Sequence, residues 1–127
     1  MGLASGKAIG DGAVTEQDIQ NQIRLALSQH GTVFRTNAGE FWQGEIRYSR
    51  EFKQRVLINL RKIEGLPKGF PDLLFLGPGQ AAFIECKTGT GRLSEEQKRF
   101  AALLEKYELP HGTARSAKDA LKIIERK

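Results

Sequence analysis

Two apolar runs separated by a short turn constrain the fold more than any other feature of the sequence. The first run covers residues 72–76, the turn covers 77–80, and the second run covers 81–87. Two such runs across a four-residue turn predict an antiparallel β-hairpin. In that hairpin Leu76 faces Ala81, and continued pairing places Asp72 directly opposite Glu85.

This register predicts a cluster of charged groups at the open end of the hairpin. Directly opposed residues have Cβ atoms about 4.5–5.5 Å apart. Lys87 lies two residues beyond Glu85, so it points to the same face about 6.6 Å further along the strand. Carboxylates as close as Asp72 and Glu85 repel each other unless a cation lies between them or one is protonated. A hard divalent cation such as Mg²⁺ would relieve the repulsion, with the backbone carbonyl of Cys86 as a third oxygen ligand.

Such a site is suited to phosphodiester hydrolysis. A bound metal ion lowers the pKa of a coordinated water and neutralises charge on the phosphate, and the Lys87 ammonium can orient that water and stabilise the transition state. The sequence contains three other acid-x-Lys triplets, but only Glu85–Lys87 ends an apolar strand with an acid opposite. The alternative interpretation is structural, with Glu85 and Lys87 at the fringe of a strand that Asp72 caps.

The positive charge of the chain is concentrated in one segment. The chain has 20 Lys and Arg against 15 Asp and Glu, a formal net charge of +5. The surplus lies between residues 46 and 63, where the only acid is Glu51 and aromatic residues are interleaved. A basic segment with aromatic rings favours binding to a phosphate backbone and stacking on unpaired bases; the alternative is a solvated loop. The predicted DNA-binding residues of this segment are Arg47, Arg50, Lys53, Arg55, Arg61 and Lys62.

Length and composition indicate one domain. The 127 residues fit a single core, and we predict a flexible leader over residues 1–12 followed by one domain over 13–127. The single cysteine excludes an internal disulfide and favours a reducing compartment. No apolar stretch approaches the roughly 20 residues that cross a bilayer. We therefore expect a cytoplasmic location and no membrane association.

The remaining elements alternate between helix and strand. Thr15 is predicted to cap a helix that ends near residue 29, and Ser94 to cap a second through a capping box with Gln97. Ser116 is predicted to cap a final helix whose inner face is Ala117, Ala120, Leu121 and Ile124. Strands are expected over 32–35 and 111–115. Within 41–60 only 56–60 has a clear strand pattern, so the whole predicts an α/β layered domain.

On these residues the chain resembles the VRR-NUC family, the virus-type replication-repair nucleases of the PD-(D/E)xK superfamily. The resemblance extends from about residue 15 to 124. Its motifs are Thr15-Glu-Gln-Asp-Ile-Gln20, Lys68-Gly-Phe-Pro-Asp72, Phe83-Ile-Glu-Cys-Lys87, Gly91-Arg-Leu-Ser-Glu-Glu-Gln97 and Ala114-Arg-Ser-Ala-Lys-Asp-Ala120.

The resemblance implies a restriction-endonuclease-like core, a mixed β-sheet flanked by helices on both faces, and dependence on Mg²⁺ or Mn²⁺. It implies that Asp72 and Glu85 are metal ligands, that Lys87 is the catalytic lysine, and that Glu16 completes the metal site. Gln97 corresponds to the glutamine on the helix after the motif. Glu16 has an alternative as a first-turn acid that the helix dipole favours, and Gln97 has one as a member of the capping box alone.

The resemblance also implies a substrate and an assembly. Stand-alone members are small homodimers that act on branched DNA, including four-way (Holliday) junctions in DNA repair, and a bacterial or phage origin is expected. Lys68 and Arg92 are further predicted DNA contacts, and the insert over 39–62 is expected to influence substrate choice. Two rival hypotheses are a non-catalytic DNA-binding module of the same fold and a sequence-specific restriction-type endonuclease.

Overall fold

The computed structural model describes residues 13–125, so the predicted leader over 1–12 lies outside the described residues. Three helices and six strands follow one another along this part of the chain. In chain order they are α1 (Glu16–Leu27), β1 (Thr32–Arg35), β2 (Glu40–Ser49), β3 (Gln54–Glu64), β4 (Leu73–Gly77), β5 (Gln80–Cys86), α2 (Glu95–Lys106), β6 (His111–Ala114) and α3 (Ala117–Glu125).

The central sheet is mixed and has four strands in the order β1-β4-β5-β6. β1, β4 and β5 pair antiparallel, whereas β6 pairs parallel to β5. The predicted hairpin register is confirmed, because Leu76 pairs with Ala81 and Leu73 with Ile84. The turn is tighter than predicted, because Gly77 and Gln80 also pair. Gly79 makes this possible by adopting a positive φ of 65°, which costs glycine little.

Helices cover both faces of the sheet, as expected from the sequence. Alternate residues of β4 and β5 form one core with α1 and α3, and the thiol of Cys86 is fully buried in it. On the opposite face, Phe83 of β5 contacts Phe70, whose ring also packs against Phe100 of α2. β5 is therefore covered on both sides and provides a rigid base for the residues at its end.

Local capping sets where the helices begin. Thr15 and Asp18 form a capping box at the start of α1, and α1 ends at Leu27, slightly before the predicted end. The predicted inner face of α3 was wrong in part, because Ile123 is buried and Ala117 is only half-buried. Ile123 fits because Gly112 of β6 leaves room: a Cβ at Gly112 would lie 2.7 Å from the Ile123 Cδ1.

β2 and β3 form a separate two-stranded sheet, which we call the arm (residues 40–64). Most of its described side chains are exposed. The sequence predicted only residues 56–60 of it as strand, because an exposed hairpin has no buried face to impose a clear alternation. A bulge lies near Gly44, where Asn59 adopts a φ of 53°.

No helix within residues 13–125 combines the length and apolar character needed to cross a membrane.

Candidate active site

The structure brings Asp72 and Glu85 together at the open end of the β4–β5 hairpin. Asp72 immediately precedes β4, and its Oδ2 accepts a hydrogen bond from the backbone N–H of Cys86 at 2.9 Å. The carboxyl group of Asp72 lies close enough to that of Glu85 to raise the Glu85 pKa. The predicted meeting of the two acids is therefore present, with Glu85 only 6% exposed.

Burial and charge repulsion alter the protonation of Glu85. Burial, followed by the negative charge of Asp72 beside it, raises the pKa of Glu85 from 4.5 to about 8, while the positive charge of Lys87 opposes the shift. A carboxyl in this position holds its proton at neutral pH when no cation is present.

An apolar cavity beside Glu85 accounts for part of this desolvation. The cavity has a volume of about 230 Å³ and lies between α2 and the sheet, with Phe83, Leu93 and Leu104 among its lining residues. Glu85 and Gln97 border the same cavity. The carboxyl group is thus solvated poorly from this side.

Gln97 takes part in the predicted capping box and also bonds to Glu85. Its Nε2 donates to Glu85 Oε2 at 2.7 Å, while its Oε1 accepts from the backbone N–H of Ser94 at 2.8 Å. Ser94 Oγ in turn accepts from the Gln97 backbone N–H at 3.1 Å. The capping box therefore fixes the amide group, and the amide group fixes one oxygen of Glu85.

Lys87 lies beside the carboxylates and is held by two contacts. Its backbone N–H donates to the carbonyl of Ala114 at 3.1 Å, and its Nζ lies 3.7 Å from Glu16 Oε2. The Lys87 side chain is 12% exposed, whereas that of Glu16 is 49% exposed. Glu16 thus reaches the site from α1, where it faces the lysine.

The oxygen ligands in this cluster fit a hard divalent cation. The candidates are the carboxylates of Asp72 and Glu85 and the carbonyl of Cys86. Mg²⁺ is typically held by one or two carboxylates with water in its other positions. Within residues 13–125, no three His, Cys, Asp or Glu side chains are grouped so as to hold a metal. A soft-metal site is unsuitable because burial, followed by the charges of Asp72 and Glu85, raises the pKa of the Cys86 thiol.

Arg115 is a residue of this region that the sequence did not single out. Its Nη1 donates to the carbonyl oxygens of Thr88 and Gly91, at 2.6 and 2.7 Å. Both acceptors are backbone groups, so no pattern of side chains indicated the contact. Arg115 lies within one of the family motifs, which was the only available signal.

The predicted DNA-binding residues of the arm differ in their contacts. Arg47 donates to Glu45 Oε1 at 2.7 Å, and Arg61 donates twice to Gln43 Oε1, at 3.0 and 2.5 Å. These two guanidinium groups are already engaged on one face of the arm. Arg50 and Lys53 lie in the turn between β2 and β3, where both are exposed.

The other predicted contacts are spread over two regions. Arg55 lies opposite Tyr48, and Lys62 lies opposite Trp42, so both belong to the second face of the arm. Lys68 precedes the site, with its Nζ 3.9 Å from Glu96 Oε2, and Arg92 is exposed in the loop before α2.

A mixed sheet between helices, with an acid and a Glu-x-Lys triplet at adjoining strand ends, defines the class of the protein as an α/β nuclease core of the restriction-endonuclease type. The model of the VRR-NUC domain matches residues 14–118, which is most of the chain. The chain belongs to the VRR-NUC family, and it is therefore a nuclease of the PD-(D/E)xK type that acts on DNA. Nucleases of this type generally use divalent metal ions. Comparison with curated proteins gave no match.

Proposed function

We propose that the protein is a Mg²⁺- or Mn²⁺-dependent, structure-selective endonuclease that hydrolyses phosphodiester bonds in branched DNA, four-way junctions among them. The single observation that supports this most strongly is the contact between the Asp72 and Glu85 carboxyl groups with Lys87 alongside. A buried acid beside a half-buried acid and a lysine is costly for folding, and the arrangement is explained by a task that needs a cation and an ammonium group at one point.

In this proposal Asp72, Glu85 and the Cys86 carbonyl hold the metal ion. A divalent ion bound there supplies an activated water and neutralises charge on the phosphate. Gln97 keeps one Glu85 oxygen in a fixed orientation, because its own amide is bonded to the α2 cap. Lys87 donates hydrogen bonds to the scissile phosphate or to the attacking water, with Glu16 Oε2 3.7 Å from its ammonium group.

The arm is proposed to bind the DNA backbone. Support comes from Arg50 and Lys53 at its turn and from Arg55 at the start of β3, all exposed. Basic side chains in solvent release counterions when they neutralise phosphates, which favours binding without reading sequence. Because the arm is a separate sheet from the one that holds the site, it can contact a DNA segment other than the one being cut.

We further propose that the protein is a homodimer. One subunit has one such site within its described residues, while resolving a four-way junction needs two cuts. The arm offers a surface for the partner copy, because one of its faces exposes large apolar side chains between 48 and 66%. The apolar side chains of this face are Trp42, Ile46, Tyr48, Leu57 and Leu60, and Arg55 and Lys62 lie among them on the same face. An isolated two-stranded hairpin is marginally stable, so covering this face would stabilise the arm.

The dimer is tested by light scattering coupled to gel filtration, with wild type and Ile46→Glu compared. The proposal predicts a wild-type dimer and a monomeric variant, since a charge in an apolar interface is costly. Gln54→Glu at the end of the arm is the matched control and should remain dimeric. A wild-type monomer, with and without DNA, would remove this part of the proposal.

The activity is tested on a panel of labelled DNAs built from the same sequences. A four-way junction, a flap, a nicked duplex and a linear duplex are incubated with Mg²⁺, Mn²⁺, Ca²⁺ or chelator, beside Glu85→Gln. We expect cleavage of branched DNA with Mg²⁺ or Mn²⁺ only, and none by the variant. Equal rates on the junction and the linear duplex would favour the restriction-type rival, and binding without cleavage of any DNA would favour the non-catalytic one.

A further inference from the structure

We propose that Arg115 is a positioning residue that fixes Lys87 by holding closed the loop between β5 and α2. This inference rests on the proposed function, because it gives Arg115 an effect on the step that Lys87 assists. No contact between Arg115 and DNA is required. The loop covers residues 88–91, directly after Lys87.

The guanidinium group of Arg115 joins the two ends of this loop. Its Nη1 donates to the carbonyl oxygens of Thr88 and Gly91, at 2.6 and 2.7 Å. The loop is also closed by its own backbone, since the N–H of Gly91 donates to the carbonyl of Thr88 at 3.1 Å. Hydrogen bonds from a charged donor are shorter and stronger than neutral ones. The bonds from Arg115 are therefore stronger than the backbone hydrogen bond that also closes the loop.

Arg115 is itself fixed to the start of α3. Its backbone N–H donates to Asp119 Oδ2 at 2.9 Å, and the backbone N–H of Asp119 donates to Ser116 Oγ at 3.2 Å. The guanidinium group therefore projects from a capped helix start at the end of β6. Because Arg115 is anchored in this way, we expect its guanidinium group to restrict the movement of the loop.

The closed loop lies against the side chain of Lys87. A Cβ at Gly91 would lie 3.4 Å from Lys87 Cδ and 3.2 Å from Thr88 Oγ1. The backbone of Lys87 is bonded to Ala114, the residue before Arg115. Residues at the end of β6 thus hold Lys87 in two ways. Ala114 bonds directly to the Lys87 backbone, and Arg115 holds the loop that packs against the Lys87 side chain.

Fixing the stem matters because a lysine has a long, flexible side chain. A displacement of about 1 Å at a reacting group can cost on the order of 10²-fold in rate. Without Arg115 the loop is held by one backbone hydrogen bond, and the stem of Lys87 gains freedom. The expected result is a slower chemical step with unchanged DNA affinity.

The test compares wild type with Arg115→Met and Arg115→Lys on the DNA that wild type cleaves best. Single-turnover cleavage with Mg²⁺ gives the rate constant, and DNA binding with Ca²⁺ gives the dissociation constant. We expect Arg115→Met to slow cleavage about 10- to 100-fold, with a dissociation constant within about twofold of wild type. Arg115→Lys should recover part of the rate, since an ammonium can bond a carbonyl but lacks the planar group. Arg99→Met, an exposed arginine on α2, is the matched control and should cleave at the wild-type rate.

Two further measurements separate the outcomes. Gly91→Ala places a Cβ 3.2 Å from Thr88 Oγ1, closer than an ordinary contact, and in contact with Lys87 Cδ. It disturbs the loop without removing Arg115, so it should also slow cleavage, and this variant replaces Arg115→Met if that protein does not fold. Amide hydrogen exchange at Gly91 should become faster in Arg115→Met whether or not DNA is present. Wild-type cleavage by both Arg115→Met and Gly91→Ala, or a weaker affinity and lower salt dependence in Arg115→Met, would overturn this inference alone. A wild-type protein that cuts no DNA would instead overturn the proposed function.

Discussion

The end of the β4–β5 hairpin and the arm place charged residues in opposite environments. At the hairpin end, Glu85 is 6% exposed, accepts a hydrogen bond from Gln97 and lies beside Asp72. In the arm, Arg50 and Lys53 extend into solvent from a two-stranded sheet. At the hairpin end, burying charged side chains lowers the stability of the fold but fixes their positions. In the arm, the exposed basic side chains can change conformation.

The difference indicates that the hairpin end carries out the chemistry and that the arm binds DNA. Chemistry on a phosphate needs atoms held to within a fraction of an ångström, which a sheet covered on both faces provides. Binding to a phosphate backbone needs charge at the surface and tolerates movement. Substitutions in the hairpin end should therefore change the rate, and substitutions in the arm should change the affinity.

The largest effect is expected from Glu85→Gln. Replacing the buried carboxylate removes a proposed metal ligand, so cleavage should fall on the order of 10³-fold while DNA affinity in Ca²⁺ changes little. Single-turnover cleavage and binding assays measure the two quantities. Glu95→Gln, on the exposed first turn of α2, is the control and should retain wild-type cleavage. Turnover retained in Glu85→Gln would remove this residue from the site.

Lys87→Ala should have the next largest effect. The variant loses the donor that we propose for the transition state, and we expect cleavage to fall about 10²-fold with an unchanged dissociation constant. Lys98→Ala on the exposed side of α2 is its matched control. If Lys87→Ala instead weakened DNA binding and left the cleavage rate unchanged, Lys87 would be a DNA-binding residue, as proposed for the basic residues of the arm, and not a catalytic one.

Neutralising Arg50, Lys53 and Arg55 together should affect binding alone. Each lost phosphate contact lowers the slope of log affinity against log salt by about 0.9, so the triple alanine variant should bind more weakly and respond less to salt. Arg47→Ala with Arg61→Ala should have a smaller effect, because Glu45 and Gln43 already engage these two groups. An unchanged slope in the triple variant would place DNA elsewhere.

The smallest effect is on the stability of the metal-free protein. The pKa of Glu85 rises from 4.5 in the unfolded chain to about 8 in the folded one. The folded state therefore binds a proton more tightly, so this contribution to stability is complete below pH 4.5 and is lost as pH rises through 8. The melting temperature in chelator should fall from pH 5 to pH 8.5 by a few degrees more in wild type than in Glu85→Gln. Parallel curves for the two proteins would contradict the raised pKa.

The same two regions show how far the sequence could predict the structure. The pairing of Leu76 with Ala81 followed from two apolar runs and a short turn. The same register predicted that Asp72, the residue before β4, lies next to Glu85, because a strand register fixes which residues are opposed. The capping boxes at Thr15 and Ser94 were local and were predicted too.

Other features depended on packing or on backbone groups, which leave weak signals. The arm was predicted only in part because its exposed strands have no buried face. The bulge also interrupts the alternation of apolar and polar residues along them. The burial of Ile123 depends on space above Gly112, a tertiary effect. The contacts of Arg115 go to backbone carbonyls, which any sequence supplies.

The most direct test of the account is anomalous diffraction from crystals of the protein soaked in Mn²⁺. The account predicts one strong peak between the carboxyl groups of Asp72 and Glu85, within about 2.5 Å of an oxygen from each, and no peak there in Glu85→Gln. A Mn²⁺ ion bound elsewhere, with none between the two acids, would contradict it.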